Sequence, residues 1–155
     1  MHAEKDSTSL EHLGELTTHV DRLSARDPLR SHPTLRSQIR RSAVDALTHA
    51  ACAMEAMNQR DRERLYRRCA SALDELHTYA RLAAGQGALT PHEFHGLRLR
   101  VARTQDAVHL CLEATRPAAR PAARPAAAQA PAHAQTGRGG PGTTEGELAA
   151  LSGVA

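Results

Sequence analysis

The chain has 155 residues, a length that suits one domain followed by a tail. It contains no Trp, one Phe and two Tyr, which argues against a β-sandwich or barrel, because strands are usually rich in aromatic and β-branched residues. The formal net charge is only +3, so the chain as a whole is not strongly basic. Its apolar residues are mostly Ala and Leu, which together with Arg favour helices. The composition therefore predicts an all-α fold.

Apolar residues recur at steps of three and four in four long segments, the spacing that places side chains on one face of a helix. The first helix is predicted from about Ser9 to Ala25, after a flexible N-terminus at residues 1–8. The other three are predicted over residues 34–57, 62–84 and 91–115. Four helices with short connections predict an antiparallel up-down four-helix bundle over residues 9–116.

Turn and cap residues define the predicted ends of these helices. Asp27-Pro28 and His32-Pro33 are expected to separate the first two, because a residue before proline avoids the helical conformation. Asp61 is expected to cap the third helix, and Gly85-Gln86-Gly87 to end it. Thr90-Pro91-His92-Glu93 is the clearest local signal, since Thr90 and Glu93 have the spacing of a capping box.

Each predicted helix has one apolar face that we expect to be buried. The members of these faces are Leu10, Leu13, Leu16, Val20, Leu23, Leu35, Ile39, Ala43, Ala46, Leu47, Ala50, Met54, Met57, Leu65, Cys69, Ala72, Leu73, Leu76, Ala80, Ala83, Phe94, Leu97, Val101, Val108, Cys111 and Leu112. Cys52, Cys69 and Cys111 lie on or beside these faces without CxxC spacing, and they are expected to be reduced thiols in the core. With an acidic, polar N-terminus and no apolar run of eighteen residues, the chain is expected to be cytoplasmic and not to enter a membrane.

The composition changes after the last predicted helix. Arg-Pro-Ala-Ala occurs three times in succession from Arg116 to Ala127, and Gly-rich sequence follows. Such sequence predicts a disordered Arg/Pro/Ala- and Gly-rich tail over residues 117–155. It would serve either as a flexible cationic arm or as a solubilising appendage, and the sequence favours neither.

Few residues have the spacing of a catalytic or metal site. Asp106-Ala-Val-His109 resembles half of the carboxylate–histidine pair of di-iron bundles, but such a site needs a second copy and further inward carboxylates. Phosphate-binding Gly-rich loops, GxSxG and zinc spacings do not occur. No catalytic residue, metal or cofactor is therefore predicted. A metal-dependent bundle enzyme using Asp106 and His109 is the remaining enzymatic alternative.

Arginine is the residue type that most strongly indicates a function. It makes up 19 of the 20 basic residues, and residues 36–103 contain twelve Arg against seven Asp and Glu. Guanidinium groups are forked donors suited to phosphate, and a surface rich in them would bind a nucleic-acid backbone through salt-sensitive contacts. The residues predicted to bind nucleic acid are Arg36, Arg40, Arg41, Arg60, Arg64, Arg67 and Arg68, with Arg98, Arg100 and Arg103 adding positive charge.

Three strings in order resemble one small superfamily of bacterial four-helix bundles. They are Leu35-x-x-Gln38-Ile39-Arg40-Arg41-Ser42-Ala43-Val44, Ala70-Ser71-Ala72-Leu73-Asp74-Glu75-Leu76 and Leu89-Thr90-Pro91-x-Glu93. One branch contains proteins encoded in intervening sequences of ribosomal RNA genes. The other is the accessory variability determinant (Avd) of diversity-generating retroelements, which this chain resembles more. The resemblance covers about residues 10–115.

The resemblance implies an assembly and partners. Members form ring-like homopentamers with a basic surface. In the Avd branch the ring serves as a docking platform for a reverse transcriptase and its template RNA. The positions matching that surface are Arg36, Arg40 and Arg41, with Arg67 and Arg68. The implied function is a non-enzymatic, RNA-binding homo-oligomeric scaffold. The alternative is a bundle of the ribosomal intervening-sequence type that acts as a protein–protein interaction module.

Overall fold

The computed structural model describes residues 2–115, apart from the side chains of His2, Ala3 and Lys5. The helices are α1 (His2–Ser24), α2 (Asp27–Arg30), α3 (Pro33–Glu55), α4 (Gln59–Gly85) and α5 (Pro91–Thr115). No strand occurs within the described residues. The predicted all-α fold class is confirmed, with one helix more than expected. The tail predicted at residues 117–155 lies outside the described residues.

The first helix begins at His2, seven residues before the predicted start at Ser9. Ser9 lies inside the helix, and its hydroxyl donates to the backbone carbonyl of Asp6 at 2.9 Å. The Asp6 carboxylate in turn accepts a hydrogen bond of 2.6 Å from the Tyr66 hydroxyl on α4. This tertiary contact, which the sequence pattern does not show, attaches the first turns of α1 to α4.

The two proline dipeptides do separate the first two long helices, but a short helix lies between them. α2 is a single turn with Pro28 in its first positions, where the missing N–H of proline costs nothing. Leu29 is buried, and it attaches this turn to the core. A four-residue helix is too short to show helical periodicity, which explains why the sequence pattern missed it.

α4 begins three residues earlier than predicted because Asn58, and not Asp61, is its N-cap. The Asn58 Oδ1 accepts from the backbone N–H of Asp61 at 2.8 Å, and the Asn58 Nδ2 donates to the Asp61 Oδ2 at 2.6 Å. Asparagine is among the strongest N-cap residues. The prediction of Asp61 as the cap was therefore wrong, although Asp61 does contribute to the cap as its partner.

The connection between α4 and α5 forms as predicted. Gly87 adopts a φ of +74°, the left-handed conformation that glycine tolerates best, and the backbone N–H of Ala88 then donates to the Ala83 carbonyl at 2.8 Å. Next along the chain, the Thr90 N–H donates to Glu93 Oε2 at 2.9 Å and the Glu93 N–H donates to Thr90 Oγ1 at 3.2 Å. These reciprocal bonds confirm the capping box.

The core consists mainly of the predicted apolar faces. α3 and α4 have the most extensive contact, and both contribute small residues there. The buried residues of these two helices are Ile39, Ser42, Ala43, Ala46, Ala50, Ala53, Tyr66, Cys69, Ala72, Leu73, Leu76, Ala80 and Ala83. Two predicted core positions are wrong. Met57 is fully exposed, because α3 ends at Glu55, and Cys52 points to solvent from α3.

Pairs of side chains show that α4 and α5 run in opposite directions. At the start of α4, the Gln59 side chain donates to the backbone carbonyl of Thr115 at the end of α5. In the second half of α4, the His77 ring stacks on Phe94 near the start of α5, with ring centroids 6.2 Å apart. The same holds for α1 and α5. The Arg26–Glu93 ion pair at 2.5 Å joins the residues just after α1 to the first turn of α5. Near the other end, burial and then the charge of Asp6, in the first turns of α1, raise the pKa of Cys111 in the last turns of α5.

A polar cluster is buried where α1, α4 and α5 meet. Burial, together with the hydrogen bond to the Asp6 carboxylate, raises the pKa of Tyr66, so its hydroxyl stays protonated and donates. Burial also raises the pKa of the Cys69 thiol to about 12, and it raises that of Cys111. Thiols with raised pKa values carry little thiolate at neutral pH. These two cysteines therefore act as core residues, as the sequence predicted.

The Tyr66–Asp6 contact leads to a prediction. Replacing Tyr66→Phe keeps the ring but leaves the Asp6 carboxylate without this donor, and we expect the free energy of unfolding to fall by about 1–2 kcal/mol. Urea denaturation followed by circular dichroism would measure this. Tyr79→Phe is the matched control, because the structure gives Tyr79 no side-chain hydrogen bond within residues 2–115. Equal losses in the two variants would show that the Asp6 contact contributes nothing.

The capping box leads to a second prediction. The backbone N–H of Thr90 lowers the pKa of Glu93 below its ordinary 4.5, with smaller contributions in the same direction from the Thr90 hydroxyl and Arg26, while burial opposes them. Because folding lowers this pKa, the carboxylate stabilises the protein above pH 4.5, and the stabilisation is lost as the pH falls through the lower folded value.

Glu93→Gln should therefore destabilise the protein at pH 7, and the difference from wild type should shrink at pH 3. Chemical denaturation at both pH values measures it. Glu11→Gln is the control, since Glu11 is exposed on α1. A difference between Glu93→Gln and wild type that stays constant from pH 7 to pH 3 would contradict the assignment.

Candidate nucleic-acid interface

Four of the predicted arginines lie together on the first three turns of α4. Arg60, Arg64, Arg67 and Arg68, here called the α4 arginine patch, are all exposed. They line one surface depression of about 1060 Å³, whose other lining residues are Asn58, Asp61, Glu63 and Ser71. Spacings of three and four residues place them on adjacent rows of one helix face. The structure therefore brings the predicted cluster together on one surface.

Two of the four arginines pair with the two carboxylates of this depression. Arg64 Nη2 lies 3.1 Å from Asp61 Oδ1, and Arg67 Nη2 lies 2.6 Å from Glu63 Oε1. Exposed pairs of this kind contribute only about 0–1 kcal/mol, so a competing anion can replace them at low cost. Within residues 2–115, no carboxylate lies within 4.0 Å of the guanidinium groups of the other two, Arg60 and Arg68. The patch therefore has an excess of positive charge.

Arg62 belongs to the same stretch of sequence but has a different role. Its side chain is half-buried, with Nε donating to the backbone carbonyl of Ala53 at 3.2 Å and Nη2 to that of Ala56 at 3.3 Å. The Ala53 carbonyl, in the last turn of α3, also accepts from the Ala56 N–H at 3.3 Å, and Ala56 is the C-cap residue that follows the helix. Arg62 thus caps α3 and closes the turn into α4. The sequence offers no signal that separates it from its exposed neighbours.

The predicted arginines of α3 do not lie in the α4 arginine patch. Arg40 Nε lies 3.0 Å from Asp21 Oδ1 on α1, Arg41 Nε lies 3.6 Å from Asp45 Oδ2, and Arg36 is half-buried. Arg36 and Arg40 line a separate depression near the start of α3. The end of α3 adjoins the start of α4, where the patch covers roughly the first 13 Å of the helix. At 1.5 Å per residue, Arg40 lies about 22 Å along the axis of α3 from that end. The seven predicted residues therefore form two groups.

Neither the histidines nor the cysteines form a metal site in the described residues. His109 Nε2 lies 3.2 Å from Glu113 Oε1, and Asp106 is exposed on the same helix. Between residues 2 and 115, no group of three or more His, Cys, Asp or Glu side chains is placed to hold a metal ion. The geometry that the enzymatic alternative requires is not formed by Asp106 and His109 with the other described residues.

The capping role of Arg62 leads to a prediction. Arg62→Ala leaves the carbonyls of Ala53 and Ala56 without this donor, so the free energy of unfolding should fall by about 1–2 kcal/mol. Arg60→Ala and Arg68→Ala are matched controls from the same part of α4. Substitutions at exposed positions of this kind usually change the free energy of unfolding by no more than about 0.5 kcal/mol. Thermal and urea unfolding would measure all three. A loss no larger for Arg62→Ala than for the controls would contradict the capping role.

Comparisons with known proteins leave the family open. No protein-family model matches the chain, and a search of the curated proteins finds no similar protein. Within the described residues, no helix combines the length and the apolar character needed to cross a membrane.

Proposed function

We propose that the protein is a non-enzymatic scaffold that binds RNA through the α4 arginine patch, as an Avd-like accessory of a reverse transcriptase in a diversity-generating retroelement. The observation that carries the proposal is the gathering of four arginines, against two carboxylates, in one surface depression. The sequence resemblance adds the reverse transcriptase and its template RNA as partners. Arg36, Arg40 and Arg41 remain predicted contacts with weaker support, because they lie outside the depression that gathers the α4 arginine patch.

The chemistry of the patch favours recognition of the phosphate backbone over recognition of bases. Arginine forks pair with phosphate oxygens in bidentate fashion. Base-specific binding of single strands usually needs exposed aromatic rings, yet Tyr66 is buried and Tyr79 and Phe94 are half-buried. Binding should therefore depend little on sequence and strongly on salt, as expected when bound RNA releases condensed counterions.

The contacts between helices support an antiparallel up-down four-helix bundle as the architecture of this scaffold. Large contacts link α1 with α3 and α5, and α4 with α3 and α5, so that each long helix has two main neighbours. α5 runs opposite to both α1 and α4, and α3 reaches α4 through only three residues, Ala56 to Asn58. α2 is then a turn within the connection between α1 and α3.

Assembly into a ring would strengthen weak contacts. The resemblance implies a homopentamer, in which five copies of the α4 arginine patch would act on the same RNA. A patch with a few net charges binds weakly alone, whereas linked copies gain from a high effective concentration. The Arg-Pro-Ala-Ala repeats beyond Thr115 could serve as additional cationic arms. They lie outside the described residues, and the proposal does not depend on them.

A protein–protein interaction module of the ribosomal intervening-sequence type is the alternative, and one observation favours it. α5 exposes Leu99 at 55% and Leu110 at 49%, and Val44 on α3 and Leu82 on α4 are similarly exposed. Large apolar side chains on an outer face suit contact with protein more than contact with RNA. In this alternative the arginines are a solvated surface, and the purified protein should contain no RNA.

The RNA proposal predicts a charge-reversal effect that depends on position. Arg60→Glu with Arg68→Glu should weaken binding of structured RNA at least tenfold at low salt and reduce the slope of affinity against salt, since neither arginine pairs with a carboxylate of residues 2–115. Arg81→Glu with Arg98→Glu changes the net charge equally, at exposed positions outside the patch, and should have a much smaller effect. Filter binding at several salt concentrations would measure both.

Two results would overturn the RNA proposal. Absence of RNA binding by the wild-type protein at low salt would remove it outright. Equal losses in the two double variants would show that binding follows net charge and not the patch. Native mass spectrometry tests the pentamer separately. Because both candidate functions involve self-association, RNA that co-purifies with the oligomer is the observation that distinguishes them.

A further inference from the structure

Another concave surface lies between α1 and α5, away from the α4 arginine patch. It is a groove of about 260 Å³, here called the α1–α5 groove. The residues that line it are His12, Glu15, Leu99, Arg100, Arg103 and Thr104. α1 contributes one histidine and one carboxylate, and α5 contributes two arginines. None of these residues belongs to the set that the sequence resemblance associates with RNA.

The two arginines of the groove hold most of their hydrogen-bonding capacity free. Arg100 Nη1 donates to the backbone carbonyl of Gly96 at 3.2 Å, which uses one of its donors. No carboxylate of the described residues lies within 4.0 Å of the guanidinium of Arg100 or Arg103, although Glu15 lines the same groove. Three residues apart on one helix, the two side chains start about 4.5 Å apart along the axis and can reach one small ligand.

The neighbouring histidine, His19, lies near several positive charges. His19 lies one turn beyond Glu15, and burial followed by the charges of Arg100, Arg22 and Arg26 lowers its pKa, with Glu93 opposing them. In addition, His12 Nδ1 and His19 Nε2 are buried without a hydrogen-bond partner in the described residues. The groove therefore combines two arginines against one carboxylate with a buried His12 nitrogen that no described residue satisfies.

We infer that the α1–α5 groove is a binding site for a phosphate-type oxyanion, held between Arg100 and Arg103 with His12 as a wall. Forked guanidinium groups match the oxygens of a tetrahedral oxyanion. The groove has room for a phosphate group, and no Phe, Tyr or Trp side chain lines it. Glu15 would compete with the bound anion, because its carboxylate repels the anion and can itself approach the arginines. This site does not depend on the proposed RNA function.

The first experiment titrates the full-length protein with sodium phosphate, at ionic strength held constant with sodium chloride. Nuclear magnetic resonance signals of the His12 ring and of the Arg100 and Arg103 guanidinium groups should shift and saturate. The signals of Arg98, which is exposed on the same helix outside the groove, should not. Shifts spread evenly over all arginines, or shifts that never saturate, would overturn the site.

Variants then test the roles of the lining residues. Arg100→Gln with Arg103→Gln should weaken phosphate binding at least tenfold, since two charge-assisted contacts are lost. Glu15→Gln should strengthen it about threefold or more, because a like charge is removed from the groove. Arg98→Gln is the matched control and should change nothing. No change in affinity for Glu15→Gln and the double variant, with circular dichroism as in wild type, would contradict the proposal.

A competition experiment identifies the source of the phosphate group. If RNA at low salt displaces the phosphate-dependent shifts of His12, the groove takes a backbone phosphate. If phosphate remains bound while RNA binds elsewhere, the natural ligand is a free oxyanion. Arg60→Glu with Arg68→Glu should leave phosphate binding in the groove unchanged, so that failure of the RNA proposal and failure of this site can be told apart.

Discussion

The close contact between α3 and α4 is the constraint on which the rest of the structure depends. Four alanines line the buried face of α3, and three more lie on that of α4. Methyl groups allow two helix axes to approach closely, and close-packed interiors tolerate few voids. With only one Phe, two Tyr and no Trp in the chain, few aromatic side chains are available to fill gaps between helices. The fold therefore depends on helix ends that position these small residues correctly.

The predictions from the sequence differ from the structure mainly at the ends of the helices. The long helices and the capping box at Thr90 could be predicted, because they depend on periodicity and on residues within one turn. The start of α1 could not, since it depends on a contact between Asp6 and Tyr66, which are 60 residues apart. Asn58 and Asp61 both suit an N-cap, and only the backbone conformation of Asn58 selects it.

In the candidate interface, too, the features that depend on neighbouring residues could be predicted, and those that depend on distant contacts could not. Composition identified arginine as the informative residue type, and clustering identified the start of α4. What the sequence could not show was how each guanidinium is used. Arg62 caps α3, Arg40 pairs with Asp21 of another helix, and Arg60 is free of carboxylates within the described residues. From helical spacing alone, the same position off the apolar face is predicted for all three side chains.

The α3–α4 connection has a consequence for how the molecule forms. Arg62 closes the end of α3 from nine residues away, and Asn58 closes the start of α4 from three. These bonds need neither α1 nor α5. By comparison, the contact between Arg26, after α1, and Glu93 of α5 joins residues 67 positions apart. Since short loops close at the lowest entropic cost, we expect the α3–α4 hairpin to act as the folding nucleus. α1 and α5 would then pack against a hairpin on which the α4 arginine patch is already exposed.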